Sequence, residues 1–129
     1  MTTALICIAL LGLLVFGLGF ATSSKRRKTE TLTGSSDDPT DALHKLVRAH
    51  GNTTEYAPMM AILILALGSM SPDFWMLCCM GVATASRYAV AAGLILSSSM
   101  NEAHPLRFIG ALGTYLSGFG LVTAVLLSI

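Results

Sequence analysis

The chain has 129 residues, of which 53% are hydrophobic and only 12% charged, against about 25% charged in an average soluble domain. Its mean hydropathy is +0.70 and its formal net charge +1. This length allows one domain, the apolar excess goes beyond what a soluble core needs, and the charge balance excludes bulk attraction to nucleic acid.

From Ala4 to Ala21 the chain carries no charge. That run of about 18 residues is close to the ~20 that cross ~30 Å of hydrocarbon. The basic cluster Lys25, Arg26, Arg27 and Lys28 follows the run instead of preceding it. This is the reverse of a secretory leader, so the segment reads as an uncleaved first span with its N-terminus outside. Ser23 to Thr40, rich in Ser, Thr, Asp and Gly, predicts a connecting loop. A second helix should begin near Asp41, stay polar at first, and become strongly apolar from Ala57 to Leu67. A turn around Pro72 precedes a third span, Phe74 to Leu96. A polar loop, Ser97 to His104, is closed by Pro105 and leads into a fourth span, Leu106 to Ile129.

The expected fold is an all-α integral membrane protein, a four-transmembrane-helix bundle in a single domain of residues 1–129, with spans at about 4–22, 41–69, 73–97 and 105–128. Small residues at helical spacing, Gly12, Gly17 and Gly19 in the first span and Gly110, Gly113, Ser117 and Gly120 in the last, suit close helix contact in lipid. Lys25 to Lys28, Lys45, Arg48 and Arg107 all flank the loops joining spans one to two and three to four. The positive-inside rule puts those loops in the cytoplasm and both termini on the outer or lumenal side. Cys7, Cys78 and Cys79 lie in apolar runs without CxxC spacing or a nearby histidine, so they read as packing residues and no metal site is expected.

Two ionised residues, Glu55 and Arg87, fall within spans. Each costs about 2.5–3.5 kcal/mol at mid-membrane and needs compensation. Their depths, about 10 and 15 Å from the cytoplasmic helix ends at 1.5 Å per residue, predict a buried ion pair. Asp41, Lys45, Arg48, Asn52 and Glu55 recur in steps of four and three, a polar stripe running down the second helix. His50 lies roughly opposite; a histidine at this level is more often a hydrogen-bonding packer than a base. Asn52-Thr53-Thr54 matches the glycosylation sequon, which on a cytoplasmic-side helix is fortuitous. Arg107, directly after Pro105, should stand at the membrane surface beside free helix N–H groups. With Lys45 and Arg48 it would form a basic pocket for a small anionic ligand. Composition alone favours phospholipid headgroup contact by ordinary positive-inside residues over such a pocket.

The stretch Arg48-Ala49-His50-Gly51-Asn52-Thr53-Thr54-Glu55-Tyr56-Ala57-Pro58 resembles the signature of the MAPEG family, membrane-associated proteins of eicosanoid and glutathione metabolism. Asp38-Pro39, Arg87, and His104-Pro105-Leu106-Arg107 with Gly110 and Thr114 extend the resemblance over all four spans. It is closest to short bacterial-type members. The resemblance implies a homotrimer that holds glutathione as co-substrate in a cytoplasm-facing cleft between subunits. Arg48, Asn52 and Glu55 would contact glutathione or support its site, and His50 and Arg87 match polar positions of that site. Arg107 matches the arginine beside the glutathione sulfur. A guanidinium there raises the thiolate fraction. The thiolate would attack a lipophilic electrophile or hydroperoxide arriving through the membrane lipid.

Departures from the family pattern are Val90, where many members carry histidine or tyrosine, Ala92 and Leu94, and Phe108 beside the arginine, with Tyr88 the only nearby substitute. They leave two readings. One is a glutathione-dependent transferase or peroxidase. The other is a catalytically inactive subunit that keeps the fold, docked in a larger membrane complex. Two charges able to pair leave no set to line a conduction path, which disfavours a channel.

Overall fold

The computed structural model describes all 129 residues and contains four helices: α1 Thr2–Lys28, α2 Ala42–Ser69, α3 Phe74–Leu96 and α4 Pro105–Leu127. Their starts follow local chemistry. The Asp41 carboxylate accepts the His44 backbone N–H at 2.9 Å and caps α2. Pro105 occupies the first turn of α4, where its missing N–H costs nothing, and the His104 ring accepts the Leu106 N–H at 3.3 Å.

One expectation needs correction. The loop expected from Ser23 begins later, because α1 continues through the basic cluster to Lys28. Four cations in its last turn complement the negative end of the helix dipole, and the Thr29 and Thr31 N–H groups close the carbonyls of Lys25 and Arg26. The four-helix membrane bundle stands: α1, α3 and α4 are long and apolar enough to cross a membrane, and α2 is the fourth helix of the bundle. With 28 residues α2 has the length, roughly 42 Å. Its first half, however, carries His44, Lys45, Arg48, Asn52 and Glu55.

α1 buries one stripe, Ala4, Cys7, Leu11, Leu14, Leu18 and Thr22, against its neighbours. Two apolar clusters result. One surrounds Leu11, Ile64, Met80 and Leu121; the other, nearer the basic end, contains Leu14, Leu18, Ala49, Val90, Ala91 and Leu94. Between them on α2 and α3 lie Thr53 and Arg87, both buried. The loops joining α1 to α2 and α3 to α4 meet at one end, where the Met100 N–H donates to the Pro39 carbonyl at 2.8 Å.

α3 and α4 pack closest, and glycine makes the contact possible. A Cβ on Gly93 would stand 2.6 Å from the Arg107 backbone nitrogen, and one on Gly110 would stand 2.7 Å from the Val90 nitrogen. Gly113 and Gly120 likewise meet Ser86 and Cys79. The expectation of close contact therefore holds for α4. It fails within this protomer for Gly12 and Gly17 of α1, which face open space; Gly19 alone meets a neighbour, His50.

Candidate functional site

Arg87 organises the polar layer. Its side chain is 1% exposed. Nη2 donates to the Asn52 carbonyl at 2.9 Å and to Asn52 Oδ1 at 2.5 Å, and Nη1 donates to the Thr114 hydroxyl at 3.3 Å. The guanidinium carbon lies 4.8 Å from the centre of the Tyr56 ring, a cation–π contact. No carboxylate is among these partners, and Nε is buried without one.

The predicted Glu55–Arg87 ion pair is therefore not formed. Asn52 and Tyr56 are one turn apart on α2 and occupy the face toward α3, so the intervening rotation turns Glu55 outward to an exposed position. Because arginine only donates, the Asn52 amide must present its oxygen to Arg87. Its NH₂ is left for the cleft beyond.

That cleft lies at the basic end between α2, α3, α4 and the α3–α4 loop, with a volume of about 570 Å³. Arg48 and Asn52 reach it from α2, and Arg107 from α4. Arg48 is exposed. Arg107 Nη1 donates to the carbonyls of Met100 at 2.9 Å and Glu102 at 3.1 Å, which fixes the guanidinium at the mouth with Nη2 and Nε free of intramolecular partners. Glu102 is the one acidic residue on the wall. His104 also borders the cleft. Val90, Leu94 and Phe108 form its apolar side, at the positions that set this chain apart from the family pattern.

The other residues singled out in the sequence lie elsewhere. Lys45 Nζ donates to the carbonyls of Ser97 at 2.7 Å and Ser98 at 3.0 Å, closing the C-terminal end of α3. His50 faces α1 among Val15, Gly19 and Thr22. The Tyr88 hydroxyl donates to the Leu10 carbonyl at 2.8 Å, also on the α1 side. The polar stripe of α2 thus divides into a cap, a clasp on α3, two cleft residues, and a carboxylate beyond them.

Sequence reasoning missed Tyr56 and Tyr115. Their hydroxyls lie 3.0 Å apart and their rings meet edge to face at 6.1 Å. Tyr56 follows Asn52 by one turn, a spacing that marked it as a neighbour of the same site. Tyr115, eight residues after Arg107, gave no comparable signal.

Fold and cleft define a multi-pass helical membrane protein with a cationic site at one end of its bundle. The model of the MAPEG family matches residues 4–127, and the chain belongs to that family, which includes glutathione-dependent transferases and related members. No curated protein and no solved structure matches the chain.

Proposed function

We propose that this protein binds glutathione in the α2–α4 cleft and uses its thiolate against lipophilic electrophiles or hydroperoxides. The observation that carries the reading is the convergence of Arg48, Asn52 and Arg107, from two helices, on one water-accessible cleft. Glutathione carries two carboxylates, one ammonium and a thiol. Arg48 suits a carboxylate by charge-assisted hydrogen bonding, and the free Asn52 amide suits a peptide carbonyl. Arg107, held by loop carbonyls that leave its other nitrogens free, suits the sulfur. Its positive charge favours the thiolate, the nucleophilic form. Attack at carbon forms a thioether and expels a leaving group or adds across a double bond. Attack on a hydroperoxide breaks the O–O bond and releases the alcohol, and a second glutathione then yields the disulfide and water.

In this reading Arg87 is a positioning residue, orienting Asn52 from below. Glu55, exposed and without a partner at membrane depth, needs cover from the ligand ammonium or from a neighbouring subunit. The latter agrees with a homotrimer, as do Gly12 and Gly17, whose faces are unused within the protomer. The end bearing the cleft and the basic cluster faces the cytoplasm by the positive-inside rule, with both termini opposite.

Val90, Leu94 and Phe108 favour a second reading, an inactive subunit that keeps the fold within a larger membrane complex, because they make apolar the wall that would otherwise assist chemistry. Calorimetry of the detergent-purified protein with millimolar glutathione separates the two. Saturable binding, weakened roughly 10- to 100-fold in Arg107→Ala as expected for losing a charged hydrogen bond, supports the first. Absence of binding by the assembled wild-type protein leaves the second.

A further inference from the structure

The loop joining α3 to α4 is tied down from outside the cleft. Its residue Met100 is held at three points. The N–H donates to the Pro39 carbonyl at 2.8 Å, the carbonyl accepts Arg107 Nη1 at 2.9 Å, and the side chain packs on the apolar cluster of Leu14, Leu18 and Ala49. The two hydrogen bonds flank one Cα, so the direction of the carbonyl that meets Arg107 depends on where Pro39 holds the amide. Pro39 itself has little freedom. Its ring fixes φ at roughly −65° and confines Asp38 to extended backbone. The Asp38 carboxylate closes the other side of the turn by accepting the Thr40 N–H and hydroxyl, and the Asp41 N–H returns to the Asp38 carbonyl at 3.1 Å. Asp41 is in turn the N-cap of α2. The Pro39 carbonyl is thus carried by the helix that supplies Arg48 and Asn52 to the cleft. On the opposite wall the Arg107 stem lies against Gly93, where a Cβ would stand 2.8 Å from Arg107 Cγ. That contact fixes the base of the side chain and leaves the loop carbonyls to set its tip.

We infer that Asp38 and Thr40 are positioning residues for Arg107: through Pro39 and Met100 they lock its guanidinium in register with the α2 wall of the cleft. Neither lines the cleft, and both act through this chain of bonds. Without the turn Met100 loses its anchor, and the carbonyl that holds Nη1 moves with the loop. The Glu102 carbonyl cannot take over alone, because the Glu102 N–H bonds the Ser99 carbonyl at 3.1 Å and the same turn carries both acceptors. A guanidinium that wanders is on average farther from the ligand sulfur, and its attraction for a thiolate falls with distance. This consequence rests on the thiolate chemistry proposed above; the restraint on Arg107 does not.

Two readouts keep the restraint and its consequence apart. The first needs no glutathione. The full-length protein in lipid nanodiscs is treated with phenylglyoxal, which condenses with guanidinium nitrogens, and modification of Arg107 is followed by mass spectrometry with exposed Arg48 as internal reference. Asp38→Ala should speed the reaction of Arg107 relative to Arg48 roughly two- to tenfold, the restraint of one hydrogen bond. Asp38→Asn, whose amide oxygen still accepts the Thr40 N–H, should restore part of the protection. The second readout is the ultraviolet absorbance of bound glutathione thiolate, titrated with pH. In Asp38→Ala the thiol should ionise about one pH unit higher than in the wild type. Removing a carboxylate acts through its field in the opposite direction, so the sign separates positioning from charge. Lys45→Met, which frees the Ser97 and Ser98 carbonyls of the same loop but not Met100, should shift both readouts far less. An unchanged Arg107 reaction in Asp38→Ala would overturn the inference. Equal changes in Asp38→Ala and Lys45→Met would also overturn it, because the loop would then need only general stability. If the wild type binds no glutathione, the proposed function fails and the phenylglyoxal rates still decide this one.

Discussion

Arg87 on α3 holds Asn52 on α2 twice, through the backbone carbonyl and through the side-chain oxygen, across 35 positions of sequence. Both terminal nitrogens of a buried cation are thereby satisfied by neutral oxygens, Nη1 by Thr114, and the asparagine is left with one orientation. Asn52→Leu should accordingly destabilise the bundle by about 2–4 kcal/mol, because it strands a buried charge. Arg87→Met should cost less, since it removes the charge itself. Denaturant titration of both variants in mixed micelles decides; a larger loss in Arg87→Met would show that the cation is a net contributor.

Lys45 and Arg48 are three residues apart and do different work. Lys45→Met frees the Ser97 and Ser98 carbonyls and should lower stability by about 1–2 kcal/mol, with glutathione affinity changed less than about twofold. Arg48→Ala should leave the thermal midpoint in place and weaken binding. Melting curves and calorimetry on the same two preparations check the contrast.

The close α3–α4 contact makes the glycines unequal. Gly93→Ala places a methyl group against the Arg107 backbone, and the overpacking should cost about 1–3 kcal/mol while displacing Arg107 from the cleft mouth. Gly12→Ala, which meets nothing in the protomer, should fold and bind as the wild type does. Should Gly12→Ala instead reduce assembly to monomers, that face of α1 is a subunit contact.

Acid should loosen the junction of the two loops. Asp38 Oδ1 accepts the Thr40 N–H at 2.8 Å and the Thr40 hydroxyl at 2.7 Å, and these bonds, the backbone one foremost, hold its carboxyl below the ordinary carboxylate range. A lowered acid contributes stability that is fully present above its unfolded value and lost as pH falls through the folded one. The turn that presents the Pro39 carbonyl to Met100 should therefore weaken only below about pH 4. Protection of the Met100 amide against hydrogen exchange, corrected for intrinsic rate, should fall there in the wild type. In Asp38→Asn it should be lower and flat.

Much of this was legible in the chain. The helix starts at Asp41 and Pro105 were marked by capping chemistry, the turn at Pro72 by its breaker, and the shared side of the two basic loops by charge. The sequence groups Arg48 and Arg107 with Lys45 in one basic pocket by their position at the cytoplasmic helix ends, and Asn52 joins them through the family signature. The Glu55–Arg87 pair was misread because depth along a helix can be counted from residue number, whereas azimuth about its axis cannot. The clasp that Lys45 makes on the Ser97 and Ser98 carbonyls was illegible for the same reason, since nothing local marks them as its partners.

By itself, then, the sequence determined the membrane character, the number and ends of the helices with the exception of α1, and the inventory of polar groups. These depend on local propensity and on the cost of burying charge. Tertiary structure alone decided which face of each helix meets which neighbour. In water an amphipathic helix advertises that face by its polarity. In lipid the neighbour and the solvent are equally apolar, so α1 looks alike all round, and only packing against glycines and the demands of a single buried arginine set its partners' rotation.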